Sequence, residues 1–438
     1  LFFLVSLLSH HVLSALPNYT GQYSVGTIDV EVPVSDPRNV TDTTLKATGQ
    51  AAFQLQTVLF SLYYPIPSNQ NSSKAPHFWL PRPISLVADG IAKTTGGGVD
   101  PAFILGALTT LAGNLTIPAK VDVSLLGGSA QFPILMFSPG DGSLGTWYSN
   151  WAGEMASRGS VVAALQHRDG SSPATQVMIK GHPTQNVTAL TVDDISPSMN
   201  NTQFKLRQLQ MRQAELEAAI IVVQNINNGS GAAVTAANSR GEGQGLYLWK
   251  NRLDMQHMIV SGHSFGSNLA LQSLKGAPST AIPANASINF DPGKDSGPLN
   301  TDVSVPTVIM DSEEWSSIPT EFYGQQHFDV VKDITLGSLK QNNESWFMTL
   351  LGTSHVSITD APLITTSLLS FFTNFTSKIP ISPSAALANY VSVSNDFVGA
   401  VVNGSRMGEL ARSASYPEFK IIPNGTILTS PWEIHVAP

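Results

Sequence analysis

The sequence predicts an α/β fold, a mostly parallel central sheet with helices on both faces. Two observations carry that expectation. Short apolar and β-branched runs alternate along the chain with helical patterns and glycine-rich loops, the order expected of parallel strands joined by crossover helices. One such run, Met258–Val260, turns through Gly262-His263-Ser264-Phe265-Gly266 into a helix-compatible run, Asn268–Lys275. A serine between two glycines at a strand-to-helix junction is what a nucleophile elbow requires. A Cβ at either flanking position would collide with neighbouring backbone, and the serine is held strained with its Oγ exposed.

From the N-terminus, Tyr23–Val34 reads as strand-like and Thr57–Pro65 as a strong strand stopped by proline. Residues 66–132 read as loops with one apolar helical segment, Pro101–Ala112, and the triple glycine Gly96–Gly98 before it reads as a flexible loop. Pro133–Ser138 is a buried-strand run that empties into Pro139-Gly140-Asp141-Gly142, followed by a helix pattern over Trp147–Ser157 and a strand at Val161–Leu165. That sequence of elements is a βαβ unit. Residues 170–202 are polar and read as an excursion over the surface, and Phe204–Asn225 carries the longest 3.6-residue periodicity. Beyond the elbow, apolar runs lead in turn to Asp291, to Asp311, and to Gly352 with His355; a final amphipathic helix is predicted over Ala361–Phe372. A serine elbow followed by titratable residues at successive strand ends describes an α/β-hydrolase sheet, with its chemistry at the strand C-termini.

Composition narrows the class. With 438 residues, 42% of them hydrophobic and 12% charged, the chain is a well-buried globular protein. A net charge of −8 without a basic run leaves nothing to bind nucleic acid. The absence of cysteine removes disulfides, thiolate-bound zinc and thiol catalysis together. Residues 1–16 are mostly apolar and end in small residues, the h-region and cleavage zone of a signal peptide, too short to span a bilayer. Twelve Asn-x-Ser/Thr sequons between Asn18 and Asn424 fit N-linked glycans on a secreted, extracellular protein. The expected division is a leader at 1–16, a catalytic domain at 17–378 and a C-terminal extension at 379–438 packed on the same domain.

A serine hydroxyl needs a neighbouring base, normally a histidine oriented by a carboxylate. In this fold the chain order is serine, acid, histidine. Downstream of Ser264 stand His327, His355 and His435, and His355 alone follows a convincing last strand. For the acid, Asp291 and Asp311 both end strands, with Glu313 and Glu314 close by, and position alone does not separate the two aspartates. An oxyanion hole needs two backbone N–H groups. Phe265, the residue after the nucleophile, supplies one and Asp141, between Gly140 and Gly142, the other. His263 reads as scaffold, His167-Arg168-Asp169 as structural, and no cluster has metal-site spacing, so neither metal nor cofactor is expected.

Several segments together resemble the plasma, type II platelet-activating factor acetylhydrolase family. They are Leu62-Tyr63-Tyr64-Pro65, Leu111 to Ala119, Phe137-Ser138 with Gly140, Thr146-Trp147-Tyr148-Ser149, His167-Arg168-Asp169, the elbow itself, and Gly352-Thr353-Ser354-His355. They run in the family's order over roughly residues 55–375. The resemblance implies a calcium-independent phospholipase A2-type esterase that removes short or oxidised sn-2 acyl groups from phospholipids, with contact to a lipid interface. It also implies Ser264 as nucleophile, Asp291 as acid, His355 as base, and the amides of Asp141 and Phe265 as oxyanion hole. Pro139 and Asp141 depart from the histidine and apolar residue usual there. The rivals are a secreted carboxylesterase, lipase or polyesterase, and a catalytically silent binding protein on the same fold. An apolar rim around residues 80–118 and 170–202 favours a lipid interface; a narrow polar cleft favours small soluble esters.

Overall fold

The computed structural model describes residues 16–295, 297–364, 377, 381–420 and 430–438. The leader expected at 1–16 lies outside the described residues except for Leu16, and of the helix expected over Ala361–Phe372 only Ala361–Ile364 is described, as helix.

Ten strands form the main sheet: β1 (Ser24–Asn39), β2 (Gln54–Ile66), β3 (Lys120–Val121), β4 (Phe132–Ser138), β5 (Val161–Leu165), β6 (Leu253–His263), β7 (Ala286–Phe290), β8 (Thr307–Ser312), β9 (Ser345–Leu350) and β10 (Trp432–Val436). Their spatial order is β10-β9-β8-β7-β6-β4-β5-β2-β1-β3. The run from β9 to β5 is parallel throughout. It is flanked by antiparallel β10 on one side and antiparallel β2 on the other.

The central strands are apolar in unbroken runs because both their faces are covered. Along β4, Ile134 and Met136 point into one core and Leu135 and Phe137 into the other; along β6, Met258 and Val260 are divided from Ile259 in the same way. This is the period of two that a pleated strand imposes. Helices α4 (Asn201–Asn225), α5 (Phe265–Ser273) and α6 (His327–Asn342) supply Leu216, Leu269 and Val331 to the first core. Helices α1 (Ile84–Thr94), α3 (Ser149–Ser157) and α7 (Pro383–Asn403) supply Val87, Trp151 and Tyr390 to the second. Helix α2 (Pro101–Ala112) pairs with α1 at the surface.

The expected strands and the long helix are present within a few residues of their predicted ends. Three readings change. Residues 66–132 hold a second helix, α1, whose buried stripe of Ile84, Val87 and Ala88 is masked in the sequence by the prolines before it. The polar stretch carrying His327 is α6, which packs on β8 and β9 through a buried stripe that includes Val331 and Ile334. The 170–202 excursion starts inside the protein, with Ser171, Ser172 and Thr175 buried, before a hairpin of Ala174–Val177 and Gln185–Thr188 reaches the surface.

Candidate active site

The site is assembled where the parallel strands end. Ser264 caps α5 with φ 55 and ψ −123, a conformation that costs a non-glycine residue of order 1–3 kcal/mol. The surrounding structure leaves it no alternative: the Ser264 amide donates to the Phe290 carbonyl at 2.9 Å, and its carbonyl accepts from Ser267 at 2.9 Å. A Cβ on Gly262 would meet the Gly266 carbonyl oxygen at 2.2 Å, and one on Gly266 would meet the Ser138 carbonyl oxygen at 2.0 Å. Both glycines of the elbow are therefore demanded by contact.

Asp291, just past the end of β7, also holds a positive φ of 45. Its carboxylate accepts from the Ser312 amide at 2.6 Å, the Ser312 hydroxyl at 2.8 Å and His355 Nδ1 at 2.8 Å. Asp311, one strand further, is fully buried, and among the described residues it meets only the Ser316 hydroxyl, at 3.4 Å, with no partner for its Oδ1. Burial first, and then the neighbouring Asp291 charge, push the Asp311 carboxyl well above the usual carboxylate range. The pair left open by position is thus separated by partners: Asp291 holds His355, and Asp311 does not.

His355 is fixed from several sides. Its amide donates to Glu314 at 2.7 Å, and its ring stacks on Trp315 with centroids 3.8 Å apart and planes 11° apart. Trp315 Nε1 donates in turn to the Pro292 carbonyl at 2.8 Å, and the Lys294 ammonium lies 4.5 Å from the indole centroid. The His355 ring is 4.5 Å from that of His263, the residue before Ser264. His263 is buried, and burial together with the facing His355 holds it well below its ordinary pKa, so it stays neutral. Its Nδ1 shares a 2.8 Å hydrogen bond with the Tyr148 hydroxyl, which also accepts from the Gly140 amide at 3.1 Å. His327 packs edge-on to Trp315, and His435 sits on β10 bonded to Thr349 at 2.8 Å, so neither downstream rival reaches Asp291.

The two expected amide donors lie on the elbow and on the loop packed against it. Phe265 is the first residue of α5 and has no acceptor inside the helix. Asp141 follows Gly140, whose Cα region lies against the elbow closely enough that a Cβ would sit 3.2 Å from Ser264 Cβ. The Asp141 amide donates to no protein group among the described residues, while its carboxylate pairs with Lys205 at 2.7 Å. Sequence reasoning noted Glu314 only as an acidic neighbour of the candidate acids and did not single out Ser312, Trp315, Arg212 or Lys205. Their roles depend on strand adjacency and on the long helix crossing the loop, which no local pattern encodes. Among the described residues the only group with metal-ligand proximity is His263, Asp291 and His355, within 4.8 Å of one another. Two of its three side chains are already bonded to each other.

The comparisons with known proteins agree with this architecture. Residues 9–403 match the family model described as platelet-activating factor acetylhydrolase, isoform II. The dog (Canis lupus familiaris) platelet-activating factor acetylhydrolase is 27% identical over 263 residues, covering 60% of this chain and 52% of that protein. The chicken (Gallus gallus) protein of the same name is 26% identical over 295 residues, 64% of this chain and 65% of its own. A putative phospholipase A2 of fission yeast (Schizosaccharomyces pombe) is 26% identical over 263 residues, covering 58% and 57%. The chain thus matches between about half and two thirds of the length of these relatives. In three dimensions it is similar to a ferulic acid esterase from Streptomyces cinnamoneus, with a TM-score of 0.57 at 17% identity over 92% of this chain and 96% of that one. The fold is that of the α/β-hydrolases, and the chain belongs to the platelet-activating factor acetylhydrolase isoform II family.

Proposed function

We propose that the protein is a secreted serine esterase that removes a short or oxidised sn-2 acyl group from phospholipids. One observation carries the reading: beside a strained serine at a strand-to-helix elbow, the ring of its neighbour His263 lies 4.5 Å from that of His355, whose Nδ1 is held at 2.8 Å by a buried aspartate that also accepts twice from Ser312. Asp291 keeps the Nδ1 proton in place, so Nε2 of His355 is the basic nitrogen. In the reaction His355 takes the Ser264 proton as Oγ attacks the ester carbonyl. The tetrahedral oxyanion is met by the amides of Asp141 and Phe265. The protonated imidazole then gives its proton to the departing lysophospholipid oxygen. Water, deprotonated by the same nitrogen, releases the acyl group and restores Ser264. Protein groups complete every step.

A lipid substrate is supported by α2, the apolar segment in the region flagged for a rim. Of its twelve residues only Ala112 is buried, and Phe103 is 42% exposed, with Ile104, Leu105, Leu108 and Leu111 only partly covered. No charged residue lies between Asp100 and Lys120. An uncharged, half-exposed apolar helix suits partial insertion among acyl chains. Extracellular placement rests on the leader and the sequons. Among the described residues no helix is long and apolar enough to cross a membrane.

The test is hydrolysis of a 2-acetyl against a 2-palmitoyl phosphatidylcholine, in EDTA, by the wild type and Ser264→Ala. Cleavage of the acetyl lipid that is lost in the variant supports the reading. Cleavage of p-nitrophenyl acetate with both lipids left intact would replace it by a general esterase. No turnover of any ester would point to a silent binding protein.

A further inference from the structure

The motif His167-Arg168-Asp169 takes no part in the chemistry above, yet all three residues are buried. His167 is bonded to the Ser138 hydroxyl and to Glu215, at 2.8 and 2.7 Å, and Arg168 is paired with Glu31 at 2.5 Å. Asp169 is paired at 2.8 Å with Nε of Arg212, a residue of α4 that is 0% exposed. The rest of the Arg212 guanidinium points at the catalytic loop. One terminal nitrogen donates to the Pro139 carbonyl at 2.7 Å and to the Ser138 hydroxyl at 3.3 Å, and the other donates to Ser171 Oγ at 2.5 Å. The guanidinium carbon lies 4.4 Å from the centre of the Phe265 ring.

One side chain therefore touches both halves of the expected oxyanion hole. On the loop side, the Gly140–Asp141 peptide is held at each end. The Pro139 carbonyl is fixed by Arg212, and the Gly140 amide by Tyr148. The Gly142 amide donates to the Ser171 carbonyl at 2.9 Å, and Ser171 is itself bonded to Arg212. On the elbow side, the ring of Phe265 rests on the guanidinium plane. Lys205, two helical turns earlier on α4, repeats the arrangement nearer the surface: its ammonium pairs with the Asp141 carboxylate at 2.7 Å and lies 5.2 Å from the Phe265 ring. Residues seven apart share a helix face.

We infer that Arg212, supported by Lys205, is a positioning residue that sets the two oxyanion-hole amides in register across α4. A buried ion pair is by itself a weak source of stability, since well-packed apolar side chains replace one without loss. The planar five-donor fork explains the choice, because no apolar residue and no lysine binds a carboxylate, a carbonyl and two hydroxyls while stacking on an aromatic ring. Asp169 then serves to orient the fork, which gives the motif its place. The inference rests on the proposed roles of Asp141 and Phe265.

The test compares Arg212→Gln, Arg212→Lys and Lys205→Met with Arg168→Gln, a buried arginine of the same motif that touches neither loop nor elbow. Each is assayed on p-nitrophenyl acetate for kcat and KM, for Tm, and for inhibition by an alkyl trifluoromethyl ketone. That ketone forms a hemiketal with Ser264 whose oxyanion occupies the hole. Loss of one oxyanion donor costs about 100- to 1,000-fold in kcat, so misplacing the two amides in Arg212→Gln should lower kcat about 10- to 100-fold. KM should change less than threefold, with the ketone weakened in step with kcat. Arg212→Lys should not restore activity, and Lys205→Met, at a partly exposed site that folds, should lose about threefold or more in both quantities. Arg168→Gln should lower Tm with kcat near wild type. Arg212→Gln or Lys205→Met retaining kcat and ketone affinity, whatever its Tm, would overturn the inference; if Arg212→Gln does not fold, the Lys205→Met result decides. A wild type that turns over no ester would overturn the esterase reading and this inference together.

Discussion

Replacing Asp291 by asparagine should nearly abolish turnover, and the same change at Asp311 should leave it intact. Asp291 Oδ1 accepts from the Ser312 amide, while Oδ2 accepts from His355 Nδ1 and the Ser312 hydroxyl. In Asp291→Asn the amide oxygen keeps the Ser312 N–H bond, because the alternative sets two donors against each other. The new NH2 group then faces His355 Nδ1 and favours the tautomer with its proton on Nε2, which cannot deprotonate Ser264. In a serine protease triad the same substitution lowers kcat about 10,000-fold, or about 5.4 kcal/mol of activation free energy, and a similar loss is expected here. Burial and the Asp291 charge raise the Asp311 pKa against the pull of Lys294, and so favour the neutral carboxyl. Asparagine closely matches a neutral carboxyl in shape, so Asp311→Asn should hold kcat within about threefold. The assay is kcat on p-nitrophenyl acetate for both variants across pH, with active-site titration by a fluorophosphonate to count competent serines. A collapse in Asp311→Asn with activity kept in Asp291→Asn would refute the assignment and the electrostatic reasoning behind it.

Other outcomes follow from the same contacts. Gly266→Ala drives a methyl group into the Ser138 carbonyl oxygen; it should cost about 1–3 kcal/mol of stability by urea denaturation and most of the activity, as overpacked sites do. Trp315→Ala removes the face on which His355 stacks; a contact of this kind is worth about 0.5–2 kcal/mol to a cation. Turnover should fall about 2- to 30-fold, and carbethoxylation of His355 by diethylpyrocarbonate should quicken, with no change in rate counting against the stack. Glu433, buried on β10 with no partner for its Oε1 among the described residues, is pushed by burial and by the nearby Glu313 up to about 7, against 4.5 for the free side chain. Between those values the folded protein retains a proton that the unfolded chain has lost, so stability falls as pH rises through the window and levels off above it. Glu433→Gln should therefore melt like the wild type near pH 4.5 and above it near pH 8; an equal Tm at both values would show that Glu433 is ionised in the fold.

Much of the fold was legible because its signals are local. A strand covered on both faces must be apolar along its length, so β4, β5, β6, β7 and β9 declare themselves in Phe137, Val162, Ile259, Ile288 and Phe347. A turn too tight for a Cβ must be glycine, so the elbow declares itself in Gly262 and Gly266. Two elements were missed: α6, whose Val331 and Ile334 are interleaved with charged and polar residues, and β10, which returns from far along the chain to pair with β9.

The candidate site divides along the same line. Ser264 and His355 could be chosen from the sequence by itself, because strand-end position and chain order are properties of a linear pattern. The choice between Asp291 and Asp311 needed a second line of argument, the family resemblance, because both end adjacent strands. In the structure it turns on contacts: parallel pairing of β7 with β8 lays Ser312 beside Asp291, and the loop after β9 brings His355 to the same carboxylate. The grip of Arg212 on loop and elbow was likewise invisible, since it joins residues 73 and 53 positions away in the chain through one side chain. Periodicity and turn chemistry act between near neighbours and are written in the sequence; hydrogen-bond partnership and the sharing of charge in a dry interior depend on distances that only the packed chain sets.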